Sequence, residues 1–260
     1  KALDYIPGIS PDFSLVLIDD ASQEGFELLP LVFKGEKAVV SGDERMYSPK
    51  NKYTVANFDI YKNKYLVNVP IFLYEMITPS SSLLDVATSL FYQDKVVLTE
   101  NLRTDPEIFA FVNENFYENS LTALRASNLT VDSSLVDVFV ENAVNKDGVN
   151  EKEAEFIVNE VLEIIRSSEA SGKCKSIGVI SLSSEEQSFF ILEKLRSVLS
   201  ADLMNKYKVA SGTAKQTQGR ERDIVFLTTS ITKGQLLPSN MTEALKLSMS
   251  RAKETVYLVR

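Results

Sequence analysis

GTAKQTQGRERDIVFL, residues 212–227, decides how the rest of the sequence is read. Its last four residues, Ile224-Val225-Phe226-Leu227, form a short apolar run, β-branched at its start, as expected of a strand buried inside a parallel sheet. The part between Gly212 and Gly219 is polar and reads as a loop. Gln218-Gly219 puts a residue without a Cβ where backbone can approach a ligand closely. Arg220, Glu221, Arg222 and Asp223 then place charges at the mouth of the strand. Charges there need solvent, a ligand or one another. Two readings stand at this point: a solvated loop with local ion pairs, and the rim of a binding cleft.

Working outward, strands are expected at 14–18 and 37–41, with a short helix over 24–33 between them. The first ends in Asp19-Asp20 and the second in Gly42-Asp43. In open α/β sheets ligands bind beyond the carboxyl ends of strands. Carboxylates in that place suit a magnesium ion, although Asp also favours turns and helix N-caps. Residues 44–82 hold Pro49, Pro70, Pro79 and Ser80-Ser81-Ser82, and read as a long irregular connection with one short strand near 65–69. Within it Tyr47, Tyr53, Tyr61 and Tyr65 interleave with Lys50, Lys52, Lys62 and Lys64. Rings alternating with positive charge suit single-stranded nucleic acid, and equally suit partly buried surface tyrosines. From residue 83 the pattern predicts helices at 83–92, 105–116, 150–165, 184–199 and 242–249. Strands are expected at 96–98, 136–140, 177–182, 223–229 and 255–259. Strands and helices alternating from residue 93 onward make one complete α/β domain.

Composition narrows the function. The chain has 260 residues, 44% hydrophobic and 25% charged, as in an ordinary globular protein. A net charge of −8 argues against a generally basic nucleic-acid coat, but leaves room for a local basic groove. With no histidine, Ser-His-Asp and Cys-His chemistry are excluded. The single Cys174 excludes an intrachain disulfide and a multi-cysteine zinc site, and suits a reducing, cytoplasmic compartment. The most apolar long stretch, 65–77, is interrupted by Asn68, Pro70 and Glu75 and is too short for a bilayer, so no membrane association is expected.

The opening stretch resembles motif V of superfamily 1 helicases, a Gln-Gly-basic-Glu core before a buried strand. Further segments follow that family's order: LIDDASQ (17–23), GDERMYSP (42–49), LTENLRTDPEIFAFVNENFY (98–117) and LSMSRAKETVYLV (247–259) resemble motifs II, III, IV and VI. The chain is thereby similar to the bacterial-type branch that includes the nonsense-mediated-decay helicase. The resemblance implies a RecA-like parallel sheet with flanking helices. It implies the remnant of a first lobe at 1–92, with motifs II and III, and a complete second lobe at 93–260, with motifs IV, V and VI.

The resemblance also implies ATP and Mg2+ as cofactors and single-stranded DNA or RNA as partner. Asp19 is then the magnesium ligand and Asp20 the group that orients the attacking water. Arg103 faces the γ-phosphate, and Arg251 is the arginine finger. Glu221 bonds the ribose, with Gln218, Gly219 and Asp43 beside the nucleotide. Thr213 touches nucleic-acid phosphates. The sequence departs from the family at Asp20, where Glu is usual, at Met46 for a Gln, and at Leu102 and Thr217 for aromatics. No G-x-x-x-x-G-K-[ST] phosphate loop occurs among its ten glycines. The expectation is therefore the C-terminal part of an ATP-dependent helicase or translocase, inactive alone and completed by an N-terminal part of the same protein. The alternative is a degenerate helicase-like module that binds nucleic acid or protein without hydrolysis.

Overall fold

A computed structural model of the chain describes residues 12–45, 54–126, 133–217, 219–232, 235–236, 238 and 241–260. The chain divides into two compact units, Lys1–Val97 and Leu98–Arg260.

In the first unit, β1 (Val16–Ile18) and β2 (Ala38–Val40) pair in parallel. A 3-10 turn at Phe26–Leu28 and the short helix α1 (Leu29–Val32) connect them. α2 (Val55–Tyr65), α3 (Ile71–Met76) and α4 (Leu83–Leu90) follow. α4 starts on a capping box in which Ser82 Oγ accepts from the Asp85 N–H and the Asp85 carboxylate accepts from the Ser82 N–H. It buries Leu83 and Leu84 against Ala21 and Val32. Both expected strands form, shorter than expected, and on one face of the pair Leu17 and Val39 stand exposed. The apolar packing of this little sheet, through Ile18 and Val40, covers its other face.

The irregular connection expected over 44–82 is corrected. Its described part holds α2 and α3, and no strand lies at 65–69. α2 begins at Thr54, whose Oγ1 accepts from the Asn57 N–H at 3.4 Å. Only Phe58 among its apolar residues is buried, packed edge-on against Phe26. A helix with a single buried anchor leaves no 3.6-residue stripe to read. Pro70 looked like a breaker but stands just before α3, where a missing N–H costs nothing.

The second unit holds β3 (Glu100–Asn101), α5 (Pro106–Tyr117), β4 (Thr122–Ala123), β5 (Leu135–Val138), β6 (Asn145–Lys146), β7 (Val149–Asn150), α6 (Glu151–Ser171), β8 (Ile177–Ser181), α7 (Glu185–Val198), α8 (Ala201–Lys206), β9 (Ala210–Thr213), β10 (Arg222–Thr228), α9 (Met241–Met249) and β11 (Ala252–Val259). Five strands form an all-parallel sheet in the order β5-β11-β10-β8-β9. Side chains alternate across it. Ile177, Val179, Ile224 and Phe226 join Ile157, Val161, Ile191 and Leu195 of α6 and α7 in one core. Val225 and Leu227, on the opposite face, are fully buried, and α5 and α9 pack against β10 and β11. The fold is thus α/β, an all-parallel five-stranded sheet with flanking helices, as the RecA-like expectation requires. The strand expected at 96–98 does not form. Val96, Val97 and Leu98 are 82%, 62% and 86% exposed, and their β propensity is idle without a partner strand.

Candidate functional site

Segments far apart in sequence meet at the amino ends of β10 and β11. Glu221 immediately precedes β10, Arg251 immediately precedes β11, and Arg103 lies in the turn between β3 and α5. Nη1 of Arg103 pairs with Oε1 of Glu221, while Nη2 donates to the Ser250 carbonyl at 3.0 Å. Nζ of Lys253 lies 3.4 Å from the other Glu221 oxygen. The Arg222 N–H donates to the Arg251 carbonyl at 3.0 Å, which fixes the two strand starts side by side. Half-buried Arg251 lines a shallow dent in the sheet face with Gly178, Ala210, Thr217 and Arg220.

Local chemistry builds this turn. Asn101 Oδ1 accepts from the N–H groups of Arg103 and Thr104 at 3.1 and 3.0 Å. Asp105 caps α5 by accepting from the Glu107 N–H at 3.0 Å, with Pro106 at the first helical position. The Lys253 carbonyl accepts from the Asp105 N–H at 2.9 Å and from Nη1 of Arg125 at 2.7 Å. The same Arg125 nitrogen donates to the Arg103 carbonyl. Arg125 and Lys253 had no place in the sequence reading. Arg125 lies in none of the motif-like segments, and Lys253 stands two residues after the arginine that drew attention.

The electrostatics of this edge are positive on an acidic chain. Arg103 and Lys253 contact the Glu221 carboxylate, and Arg220, Arg222 and Arg251 line the neighbouring dent, while the nearby Asp223 accepts from the N–H and Oγ of Ser176, each at 2.7 Å. Arg222 donates to the carbonyls of Lys208 and Glu221 at 2.9 and 2.8 Å. Burial, and then the charge of Arg220, hold its pKa below the usual arginine value. An anion bound here relieves that repulsion.

In the first unit, Asp19 and Asp43 follow the carboxyl ends of the adjacent parallel strands β1 and β2. Ser41 Oγ donates to Asp19 Oδ1 at 2.6 Å and the Asp20 N–H at 3.0 Å, which together hold the Asp19 carboxyl below the usual aspartate range. Asp19 is exposed and ionised, a hard oxygen donor beside a hydroxyl. Among the described residues no group of three or more Cys, Asp and Glu is arranged to hold a metal ion. That donor set fits magnesium, which takes one or two carboxylates and completes its shell with phosphate oxygens and water. Asp20 has φ +54°, in the left-handed region. Asp is tolerated there better than most residues, which gives a local reason for Asp at this position. Asp43 Oδ1 accepts from the Arg45 N–H at 2.8 Å.

Thr213 lies elsewhere. It ends β9, at the carboxyl edge of the sheet, whereas Glu221 lies at the amino edge. Gly212, read as the start of the loop, is part of β9. A Cβ on it would meet Thr217 Cγ2 at 3.2 Å, because the chain folds straight back over the strand end. Thr217 donates from N and Oγ1 to the Thr213 carbonyl, both at 3.0 Å. Arg220 and Glu221 stand at the opposite, amino edge of the sheet, before β10. Gly219 has φ +70°, so the expected glycine requirement is conformational. Gln218, Met46, Tyr47, Lys50, Lys52 and Tyr53 lie outside the described residues. Leu102 is 72% exposed.

A family model described as an AAA domain, AAA_12, matches residues 80–260, which includes all of the second unit. The chain belongs to this family. The family is found in superfamily 1 helicases, and the chain is accordingly a helicase-type domain. Among curated proteins none matches the chain. Among solved structures, the C-terminal domain of a possible DNA helicase from Lactobacillus plantarum WCFS1 is similar at 14% identity, covering 61% of this chain and 86% of that one, with a TM-score of 0.39. Among the described residues of this AAA domain, no helix is long and apolar enough to cross a membrane.

Proposed function

We propose that this AAA domain is the part of an ATP-dependent superfamily 1 helicase or translocase that senses the nucleotide and grips nucleic acid. The carrying observation is the convergence of Arg103, Glu221, Lys253 and Arg251 at one edge of the parallel sheet. Hydrolysis of a phosphoanhydride needs positioned positive charge more than covalent chemistry, and this edge supplies it. Arg103 and Arg251 neutralise charge on the transferring phosphoryl group. Glu221 accepts from the ribose hydroxyls. Asp19 would hold magnesium, which would supply positive charge to the phosphates, and Asp20 would orient the attacking water. Asp43, Gln218 and Gly219 complete the nucleotide's surroundings. Thr213, at the carboxyl edge of the same sheet, contacts phosphates of single-stranded DNA or RNA. The lobes are assigned as 1–92 and 93–260, in a reducing, cytoplasmic setting that suits the single Cys174.

The sequence carries no lysine-bearing phosphate loop of its own. The 260-residue chain alone is therefore expected to hydrolyse ATP at the background rate, with or without nucleic acid. A phosphate-release assay checks this. Turnover above background that disappears on Arg251→Ala contradicts the division of labour proposed here. Hydrolysis in a complemented protein that ignores Asp19, Arg103 and Arg251 alike identifies a module that only binds.

A further inference from the structure

We infer that α2 carries a stacking platform for unpaired bases of single-stranded nucleic acid. This goes beyond Thr213 and rests on the nucleic-acid part of the reading above. Tyr61 and Tyr65 are one helical turn apart on α2 and are 57% and 65% exposed. Their rings lie parallel within 11°, with centroids 6.4 Å apart. Two coplanar-facing rings at the surface present flat apolar area that only another flat group matches well.

Cations accompany the rings. Lys64 Nζ lies 5.0 Å from the Tyr65 centroid and is exposed. Lys62 Nζ lies 4.3 Å from the Tyr74 centroid and donates to the Ile77 carbonyl at 2.8 Å. Tyr74 in turn donates to Asn63 Oδ1 at 2.5 Å, bracing α2 from α3. The platform is thus anchored on one side by Phe58, Lys62 and Tyr74 and open on the other. Asp59, the acid within α2, stands two residues before Tyr61 and so about 160° round the helix from it. The open face therefore offers rings with positive charge and turns its carboxylate away. That combination fits a polyanion with π-faces, and base–aromatic stacking tolerates any sequence. Apolar protein partners gain nothing from the lysines, which is why nucleic acid is favoured.

The test is binding of labelled oligo(dT) and of an abasic oligomer of equal length to the whole chain at low salt, read by fluorescence anisotropy. Variants are Tyr61→Ala/Tyr65→Ala, Tyr61→Phe/Tyr65→Phe and Thr213→Ala. The alanine pair is expected to weaken oligo(dT) binding about tenfold or more, and the phenylalanine pair less than about twofold. The abasic oligomer should bind the unmutated chain about as weakly as oligo(dT) binds the alanine pair. Unchanged affinity of the alanine pair, or equal binding of the abasic oligomer, overturns the platform and leaves Thr213 standing. Loss with the tyrosines but not with Thr213→Ala supports the platform and removes Thr213. No binding by the chain at all removes both. Photo-cross-linking of a bromouracil oligomer to the unmutated chain does not depend on a variant's folding. A cross-link on Tyr61 or Tyr65 supports the inference, and cross-links only elsewhere overturn it.

Discussion

Alanine at Arg251 lowers single-turnover ATP hydrolysis by about 10³-fold in a protein that joins this chain to a phosphate-binding loop, with binding of Mg-ATP much less affected. An arginine aimed at the transferring group stabilises charge that is fully developed only in the transition state, so its loss falls on the rate and not on the ground-state affinity. The backbone of Arg251 holds β10 through its carbonyl, and that bond survives the substitution. The variant therefore isolates the side chain. Arg251→Lys keeps the charge without the planar fork and should recover only part of the rate. A fall of less than about tenfold, with bound nucleotide verified, places the catalytic charge elsewhere.

The second large effect is on stability and concerns a carboxylate remote from this chemistry. Glu153 in the first turn of α6 is fully buried. Its oxygens accept from Asn150 Nδ2 at 2.8 Å, Thr228 Oγ1 at 2.5 Å and the Ser230 N–H at 3.0 Å. Gln187 extends the network by donating to Thr228 Oγ1 and the Asn150 carbonyl, at 3.1 and 3.2 Å. Glu153→Ala leaves several buried donors unsatisfied and is expected to cost about 3 kcal/mol in urea unfolding. Burial, partly offset by these hydrogen bonds, pushes the Glu153 pKa above the ordinary glutamate value of 4.5. The folded state thus binds the proton more tightly than the unfolded state. The stabilisation from this group is fully present below about pH 4.5 and declines as pH rises through the folded-state pKa. The gap between wild type and Glu153→Ala should narrow in the same direction. A variant within about 0.5 kcal/mol of wild type contradicts the network's role.

Legibility in the sequence followed burial. Ile224 to Leu227 read as a buried strand because both faces of a central parallel strand are covered, and β10 is that strand. The apolar stripe of α6 read as a helix for the same reason, although its end was placed short of the last turn. α2 went unread because one anchor, Phe58, makes no stripe, and α8 because six residues capped by Ser200 bury none of their own side chains. Residues 96–98 misled in the opposite sense: their composition suits a strand, but pairing is a tertiary fact. At the candidate site, Arg103, Glu221 and Arg251 are singled out by the family resemblance, and the structure brings the Arg103 side chain onto Glu221 and onto the carbonyl of Ser250, the residue before Arg251. Their meeting could not be read from spacing alone, since Arg103 and Glu221 are 118 residues apart. Nor could the carbonyl clamp of Arg125, because backbone acceptors carry no residue signature.

The most direct test of the central claim is a crystal structure with Mg2+ and ADP-beryllofluoride, of this chain joined to a phosphate-binding loop. The side chains of Arg103 and Glu221 touch. A γ-phosphate and a ribose are separated by two further phosphates, so one contacting pair cannot grip both. The account predicts that the Arg103–Glu221 pair opens. Arg103 and Arg251 should then donate to the fluoride group, and Glu221 should accept from the ribose. A bound nucleotide with the Arg103–Glu221 pair intact and Arg251 turned away from the phosphates would contradict it.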